Sequence, residues 1–534
     1  MSDLLSLGAS GVRAYQLAMN VVGENIANAT TKGYVRRNPV LTEASAGAGS
    51  YILLNNLNIG QGVIAGGVGR QWDDFRAADV RTGTSEAGRT GETMVWLDRM
   101  EKLLGGTDIG GSLTRFFNAA EGIAADPTGI APRTAMIDAA GGVAAAFTAT
   151  ATGLATIDAD LRASAMQAVE RLSGFAAGLA EANVGLAKVR AGSNEQAQLL
   201  DQRDRMIDEL SALGSIHVSL DDRGVATVRI NDSTGPVLVA GSATRKIGAE
   251  FNASGTLGLV FDPVYAPEAF AFRGGAIGGL AEASARVVDM RAQIATLATA
   301  VAEGVNQVQA AGIDLNGAAG AALFDASAGG GMLAVNPLGA RQIAAARPWT
   351  VTGGASNAGS AALQAATATS GSPLASTRIT VSGGVLTAID PVTNNVIGTA
   401  AFTAGTPVTI AGLSLTLSGT PADGDSFTVA ATRPGSRDNG NLAGFAALRT
   451  GARYEGQAND LFNANASALA AKKQVAEAQG VILEGALAAR DAISGVNLDN
   501  EAVELMRFQQ AYSASSRIIQ VARDTFDSLL QAVG

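Results

Sequence analysis

The sequence predicts a mainly α protein with β insertions, in which N- and C-terminal helices pair as a coiled coil, long helices form a rod, and a small β-sandwich or barrel is inserted. Three observations carry this. Apolar residues recur with heptad spacing at both ends of the chain. The interior switches twice from a period near 3.5 to a period of 2. The 534 residues are 47% hydrophobic but only 5% aromatic, so cores must be built from Ala, Val, Leu and Ile, which suits helix seams better than bulky globular interiors.

Near the start Val12, Tyr15, Met19, Val22 and Ile26 alternate three and four apart, with Leu5 and Gly8 in phase before them. This seam predicts a helix that stops at the cluster Asn28, Thr31, Gly33 and Tyr34, because Asn and Gly accept left-handed backbone angles and Gly33 permits a positive φ. An extended, glycine-broken stretch is expected from there to about Arg81. Helical patterns follow over Thr90 to Leu104 and over Leu113 to Ala125, the second ended by Asp126-Pro127. The uncharged run from Ala139 to Ile157 is rich in Ala, Gly and Thr and reads as a weakly apolar linker or packed helix, not a membrane span. From about Asp158 a long helix carries Leu161, Ala165, Leu172, Leu179 and Leu186 in phase, its spacing continuing less strictly through Leu200, Ile207 and Leu210.

Ile216, Val218 and Leu220 then alternate, Asp221 to Gly224 supply a turn, and Ala226, Val228 and Ile230 alternate again, which predicts a hairpin. Strands are expected at Val237 to Val239 and Leu257 to Phe261, and a helix from about Ile277 to Ala310. Between about Thr350 and Arg433 charge almost vanishes. Gly353 to Ser376 reads as loose, and the remainder gives short strands at Ile379, Val385, Val408, Leu413 to Leu417 and Phe427. The last helix keeps Leu498, Leu505, Phe508, Tyr512, Ile519, Phe526 and Leu529 in phase, capped by Asn497. The expected division is 1–60 and 491–534 for the coiled-coil halves, 85–213, 276–345 and 440–490 for the helical rod, 214–275 for a hairpin region, and 346–435 for the inserted β domain.

Composition narrows function. There is no cysteine and one histidine, which removes thiolate chemistry, Cys-based metal sites and His-pair zinc sites. His217 lies on the solvent side of its strand. No catalytic residue, cofactor site or metal site is expected. A net charge of −10 without long charge runs disfavours nucleic acid and anionic membranes as partners. Gly83 to Thr90 is a near miss to a phosphate-binding loop, with Arg89 where Lys belongs and no apolar strand before it. Asp314, Asn316 and Gly317 read as a turn, their glycine spacing being too short for an EF-hand. The opening residues lack the basic region and apolar run of a cleaved secretory signal. A carboxylate-based hydrolase remains the alternative of a different class, without a local constellation to support it.

Seams at opposite ends of the chain need partners, since an exposed apolar stripe costs roughly 25 cal/mol per Å². Periodicity alone leaves open whether that partner is the other terminus or a neighbouring subunit. The run Asn25-Ile26-Ala27-Asn28-Ala29-Thr30-Thr31-Lys32-Gly33-Tyr34 resembles the amino-terminal signature of bacterial flagellar rod, hook and hook-associated proteins. Ser494 to Glu501, running into Arg507-Phe508-Gln509-Gln510-Ala511-Tyr512, resembles the matching carboxy-terminal signature. Asp201-Gln202-Arg203-Asp204, Val305-Asn306-Gln307, Gly312 to Gly317 and Gly419 to Val429 resemble the interior of hook-associated members of that axial family. Gln309 stands where a His is common in the family. The resemblance implies a non-enzymatic junction layer between hook and filament, extracellular and exported without a cleaved signal peptide. Its implied partners are copies of itself, hook protein, the next hook-associated junction protein, and an export chaperone at the C-terminal region. It further implies that the seam residues above act in assembly, and that another rod, hook or filament component is the nearest alternative.

Overall fold

The computed structural model describes residues 2–44, 62–262, 264, 267–369 and 374–533. Helix α1 (Ser2–Ala27) is followed by an antiparallel pair, β1 (Arg37–Glu43) and β2 (Val63–Arg70). Part of the stretch expected to be extended, 45–61, lies outside the described residues. Its end is not extended: α2 spans Asp74–Thr107, started by Asp73, whose Oδ1 accepts from the amides of Phe75 and Arg76. The glycines that obscured this helix serve close packing; a Cβ on Gly88 would lie 2.9 Å from the Ala212 carbonyl oxygen. The near-miss phosphate loop is therefore an interior turn of α2.

Next come α3 (Ile109–Gly122) and α4 (Ile130–Lys188). The long helix begins well before Asp158, because the Ala-rich run buries Ala140, Val143, Phe147, Ala151 and Leu154 as one face. This segment is long and apolar enough to cross a membrane, yet half of it is buried inside the protein. The chain then reverses instead of prolonging a rod. Gly192 has φ +73°, Ser193 caps α5 (Asn194–Leu213), and α5 returns along α4, bringing Leu199 to Gly185 and Met206 to Gly178.

The predicted hairpin is present as β3 (Ile216–Leu220) and β4 (Ala226–Ile230), with Val218 opposite Val228. It continues into β5 (Val237–Ala240) and β6 (Ala243–Thr244). A second sheet joins β7 (Ile247–Phe251), β8 (Leu257–Phe261) and β9 (Glu268–Phe270). Helix α6 (Gly275–Ala310) leads to the short pair β10 (Phe324–Asp325) and β11 (Ala334–Val335).

The inserted domain comprises β12 (Trp349–Gly353), β13 (Ala362–Ala368), β14 (Ser376–Ser382), β15 (Val385–Ile389), β16 (Val396–Ala401), β17 (Pro407–Ile410), β18 (Leu413–Ser418) and β19 (Ser426–Ala431). Its sheets, β12-β19-β14-β15-β16 and β13-β18-β17, enclose Ile379, Val381, Leu386, Leu413, Leu415, Phe427 and Val429. The expectation of a loose Gly353 to Ser376 is corrected over 362–368 by β13, which pairs with β18 from Ala362 opposite Ser418 to Ala368 opposite Leu413, while 370–373 lie outside the described residues. The chain closes with α7 (Leu442–Ala452), α8 (Tyr454–Ser494) and α9 (Leu498–Val533).

Two compact units result. One comprises 1–97, 159–286 and 468–534, the other 98–158 and 287–467. In the second, Phe116 packs against Phe117, Phe324 and Phe445 with ring centroids 5.3 to 6.3 Å apart. In the same unit Arg133 is buried with its guanidinium donating to the Pro127 and Ile343 carbonyls.

Candidate functional site

The terminal helices of the first unit pair antiparallel. Gly8 faces Ser515 and Ile519, Tyr15 meets Phe508 at a centroid distance of 6.4 Å, and Asn25 meets Glu501. The two backbones come close: a Cβ on Gly8 would lie 2.6 Å from Ile519 Cγ1 and 3.2 Å from the Ser515 carbonyl oxygen. Ala18, Val22 and Phe508 form the buried apolar cluster, with Tyr15, Met19, Ile26 and Leu505 packed around it.

Of the seam residues marked by periodicity, Val22 and Phe508 are buried, and Val12, Tyr15, Met19, Ile26, Leu505, Tyr512 and Ile519 are half-buried. Leu5, Leu498, Phe526 and Leu529 are exposed by 45 to 52%, so within one chain about half of each stays uncovered. The line of closest burial on α1 is instead Gly8, Gly11, Ala14, Ala18, Val22 and Asn25.

Asn25 is the polar centre of this end. It has no exposed surface, its Nδ2 donates to the Arg37 carbonyl at 2.8 Å and to Glu501 Oε2 at 2.9 Å, and its Oδ1 accepts from the Tyr34 hydroxyl at 2.9 Å and the Arg37 amide at 3.0 Å. All four hydrogen bonds of the amide are thus made inside the protein. The signature turn exists to bring these groups back. Asn28 Nδ2 caps the Glu24 carbonyl, the Thr31 amide donates to the Asn28 carbonyl, and the Thr31 hydroxyl bonds Asn28 Oδ1. Gly33 takes φ +77° where a Cβ would strike Arg205 Cγ at 2.6 Å. Burial pushes the Tyr34 phenol up to about 12, against the opposing pull of Arg37.

Glu501, only 1% exposed, also accepts from Arg36 Nε at 2.6 Å, while the Arg36 amide donates to the Ser494 carbonyl. Arg37 carries the network inward, to Glu24 at 2.9 Å, Asn194 at 2.6 Å and Asp201 Oδ2 at 3.0 Å. Arg70 bridges Asp201 Oδ1 at 2.9 Å and Asp204 Oδ2 at 2.7 Å, and Arg203 holds Asp204 Oδ1. The three-residue spacing of Asp201 and Asp204 puts both on one face of α5. Asp208, one turn further, is shared by Arg81 at 3.2 Å and Arg490 at 3.4 Å.

Burial raises the Asp201 and Asp208 carboxyls above the ordinary carboxylate range, and the neighbouring arginines oppose it. Both oxygens of Asp201, Asp204 and Asp208 face a guanidinium within ion-pair distance, which leaves none of these carboxylates aimed at a substrate. This is the chemistry of a structural lock. His217 is exposed, the Asp314 carboxylate accepts the amides of Asn316 and Ala318 in a tight turn, and among the described residues no His, Asp and Glu group could hold a metal ion. Sequence reasoning quoted Asn25, Asp201, Asp204 and Glu501 as signature letters without seeing that they meet; Arg36, Arg37 and Arg70 carried no signal.

Comparison with known proteins agrees with this architecture. A family profile described as the flagellar hook-associated protein FlgK helical domain matches residues 97–324, and one described as flagellar basal body rod FlgEFG protein C-terminal matches 490–532. Both descriptions are of bacterial flagellar axial proteins, the family that the two terminal signatures resemble. Over its whole length the chain is similar to flagellar hook-associated protein 1. The relatives of that name from Escherichia coli (strain K12) and Salmonella typhimurium are each 26% identical, covering 99% of this chain and 100% of theirs. The Bacillus subtilis protein is 23% identical over 61% of this chain and 70% of its own length. The structure of the flagellar hook junction protein FlgK from Burkholderia pseudomallei shares the fold, with TM-score 0.66 at 18% identity, covering 78% of this chain and 100% of that one.

Proposed function

We propose that this protein is a structural adaptor, not an enzyme, which forms the junction layer between hook and filament and is needed for filament assembly. The full-length likeness to hook-associated protein 1 carries the reading. The terminal pair supports it physically. Leu4, Leu5, Val503, Met506, Val521, Phe526 and Leu529 stay 45 to 60% exposed, a surface that copies of the chain in a layer would cover at a gain of roughly 25 cal/mol per Å². Hook protein on one side and the next hook-associated junction protein on the other complete the stack. Export through the flagellar channel, without a cleaved signal peptide and with a chaperone on the C-terminal region, delivers the chain outside the cell. A deletion strain tests this: it should build hooks yet shed flagellin into the medium, and normal filaments on that strain would reject the junction role.

A further inference from the structure

We infer that Glu501 is the register pin of the terminal helix pair: through Asn25 and Arg36 it selects one alignment of α9 on α1, which the small residues along the seam select only weakly. The seam beyond the Phe508 cluster is smooth. Gly8 and Gly11 on α1 lie against a stripe of α9 where Ser515 is buried, and small residues discriminate less between alignments one heptad apart than bulky knobs do. Glu501 distinguishes them. Among the described residues of α9 it is the only buried charged group, and its two oxygens accept from donors fixed independently, Asn25 Nδ2 at 2.9 Å and Arg36 Nε at 2.6 Å.

Both donors are held from behind. Asn25 is braced by Tyr34 and the Arg37 backbone, and Arg36 by its own amide on Ser494 and by Gln71. A slip of one heptad in one direction would set the carboxylate against Ala18, which offers no donor; a slip in the other would carry it past the end of α1 at Ala27. Either alignment leaves a buried carboxylate unpaired or strands the Asn25 amide, and each is costly compared with the smooth apolar remainder. A single buried polar contact fixing the alignment of an otherwise permissive helix pair is the established way such seams acquire specificity.

The chain has no cysteine, so disulfide trapping reads the alignment directly. Ser515→Cys is combined in turn with Gly11→Cys, Leu4→Cys and Ala18→Cys. The first pair reports the observed alignment, since a Cβ at position 11 lies 3.0 Å from the Ser515 Cβ, and the other two report a heptad slip in either direction. With Glu501 intact only the Gly11 pair should close under mild oxidation. In Glu501→Leu its yield should fall by at least about tenfold relative to the slipped pairs, the scale of losing even one of its two charge-assisted hydrogen bonds. Glu501→Gln, which keeps one accepting oxygen, should retain mainly the observed alignment. Closure of the Gly11 pair alone in Glu501→Leu would overturn the inference. So would loss of all three pairs in that variant, which would make Glu501 a docking contact without a role in alignment, and closure of several pairs, or of none, in the parent chain.

Discussion

Asn25 occupies a helix seam otherwise lined by small and apolar residues, and its burial is tolerated because every donor and acceptor it owns is used. One of those partners titrates. Tyr34 is raised from 10.0 to about 12, so the folded state holds its proton more tightly than the unfolded state does. The resulting stabilisation is fully present below pH 10 and is lost as pH rises through about 12. Burial raises Tyr454 as well, so phenolate absorbance should show a late ionisation whose amplitude shrinks, without vanishing, in Tyr34→Phe. A wild-type minus Tyr34→Phe difference titration centred on the ordinary tyrosine range would contradict the burial of the Tyr34 phenol. The sequence displayed Asn25 and Glu501 within recognisable signatures, but the two are 476 residues apart, and no local pattern encodes a contact at that separation. The arginines that complete the cluster look like any surface cation until α5 and β2 are placed beside them.

At the scale of elements, the close approach of α1 and α9 depends on absent side chains. At Gly8 the neighbours of a new Cβ include the Ser515 carbonyl oxygen and the Ile519 amide nitrogen, both at 3.2 Å, and backbone cannot rotate aside. Gly8→Val should push the helices apart at a cost of about 1–3 kcal/mol, the usual penalty for overpacking. Hydrogen exchange would register this as faster exchange along α9 with the inserted β domain unchanged; unaltered protection of α9 would show that the helices do not touch there. The same glycines explain what periodicity could and could not reveal. Heptad counting found the pair, marked Tyr15, Met19 and Val22 and put Gly8 in phase, yet gave no weight to Gly11, Ala14 and Ala18, because small residues carry little hydropathic signal although they form the line of closest contact. Strands with Val, Ile and Leu in alternation, such as β4, β14 and β18, were legible for the converse reason. The Ala- and Thr-rich β13 and the glycine-bearing start of α2 were not, since each is fixed by its neighbours more than by its own composition.

At the scale of the whole molecule, the inserted β domain is a module whose two ends nearly touch. The Thr432 amide donates to the Pro348 carbonyl at 2.9 Å, and Arg347 is clasped to Asp438 through its backbone amide at 2.7 Å and its guanidinium at 3.1 Å. Its apolar core is drawn from β13, β14, β15, β17, β18 and β19 together with the turns between them, so the strands bury one another. A segment with its own core and adjacent ends can be replaced by a short turn without stretching the chain that remains. Excising 349–431 and joining the ends with Gly-Ser should therefore leave the Phe116, Phe324 and Phe445 packing intact. Because the clasp between Arg347 and Asp438 lies outside the excised span, it should survive as the stem of the new turn. The checks are a far-UV spectrum that loses strand signal while keeping its helical amplitude, and a melt that loses at most the transition belonging to the β domain. Collapse of the helical signal in the excised chain would mean that the insert holds the second unit together instead of being carried by it.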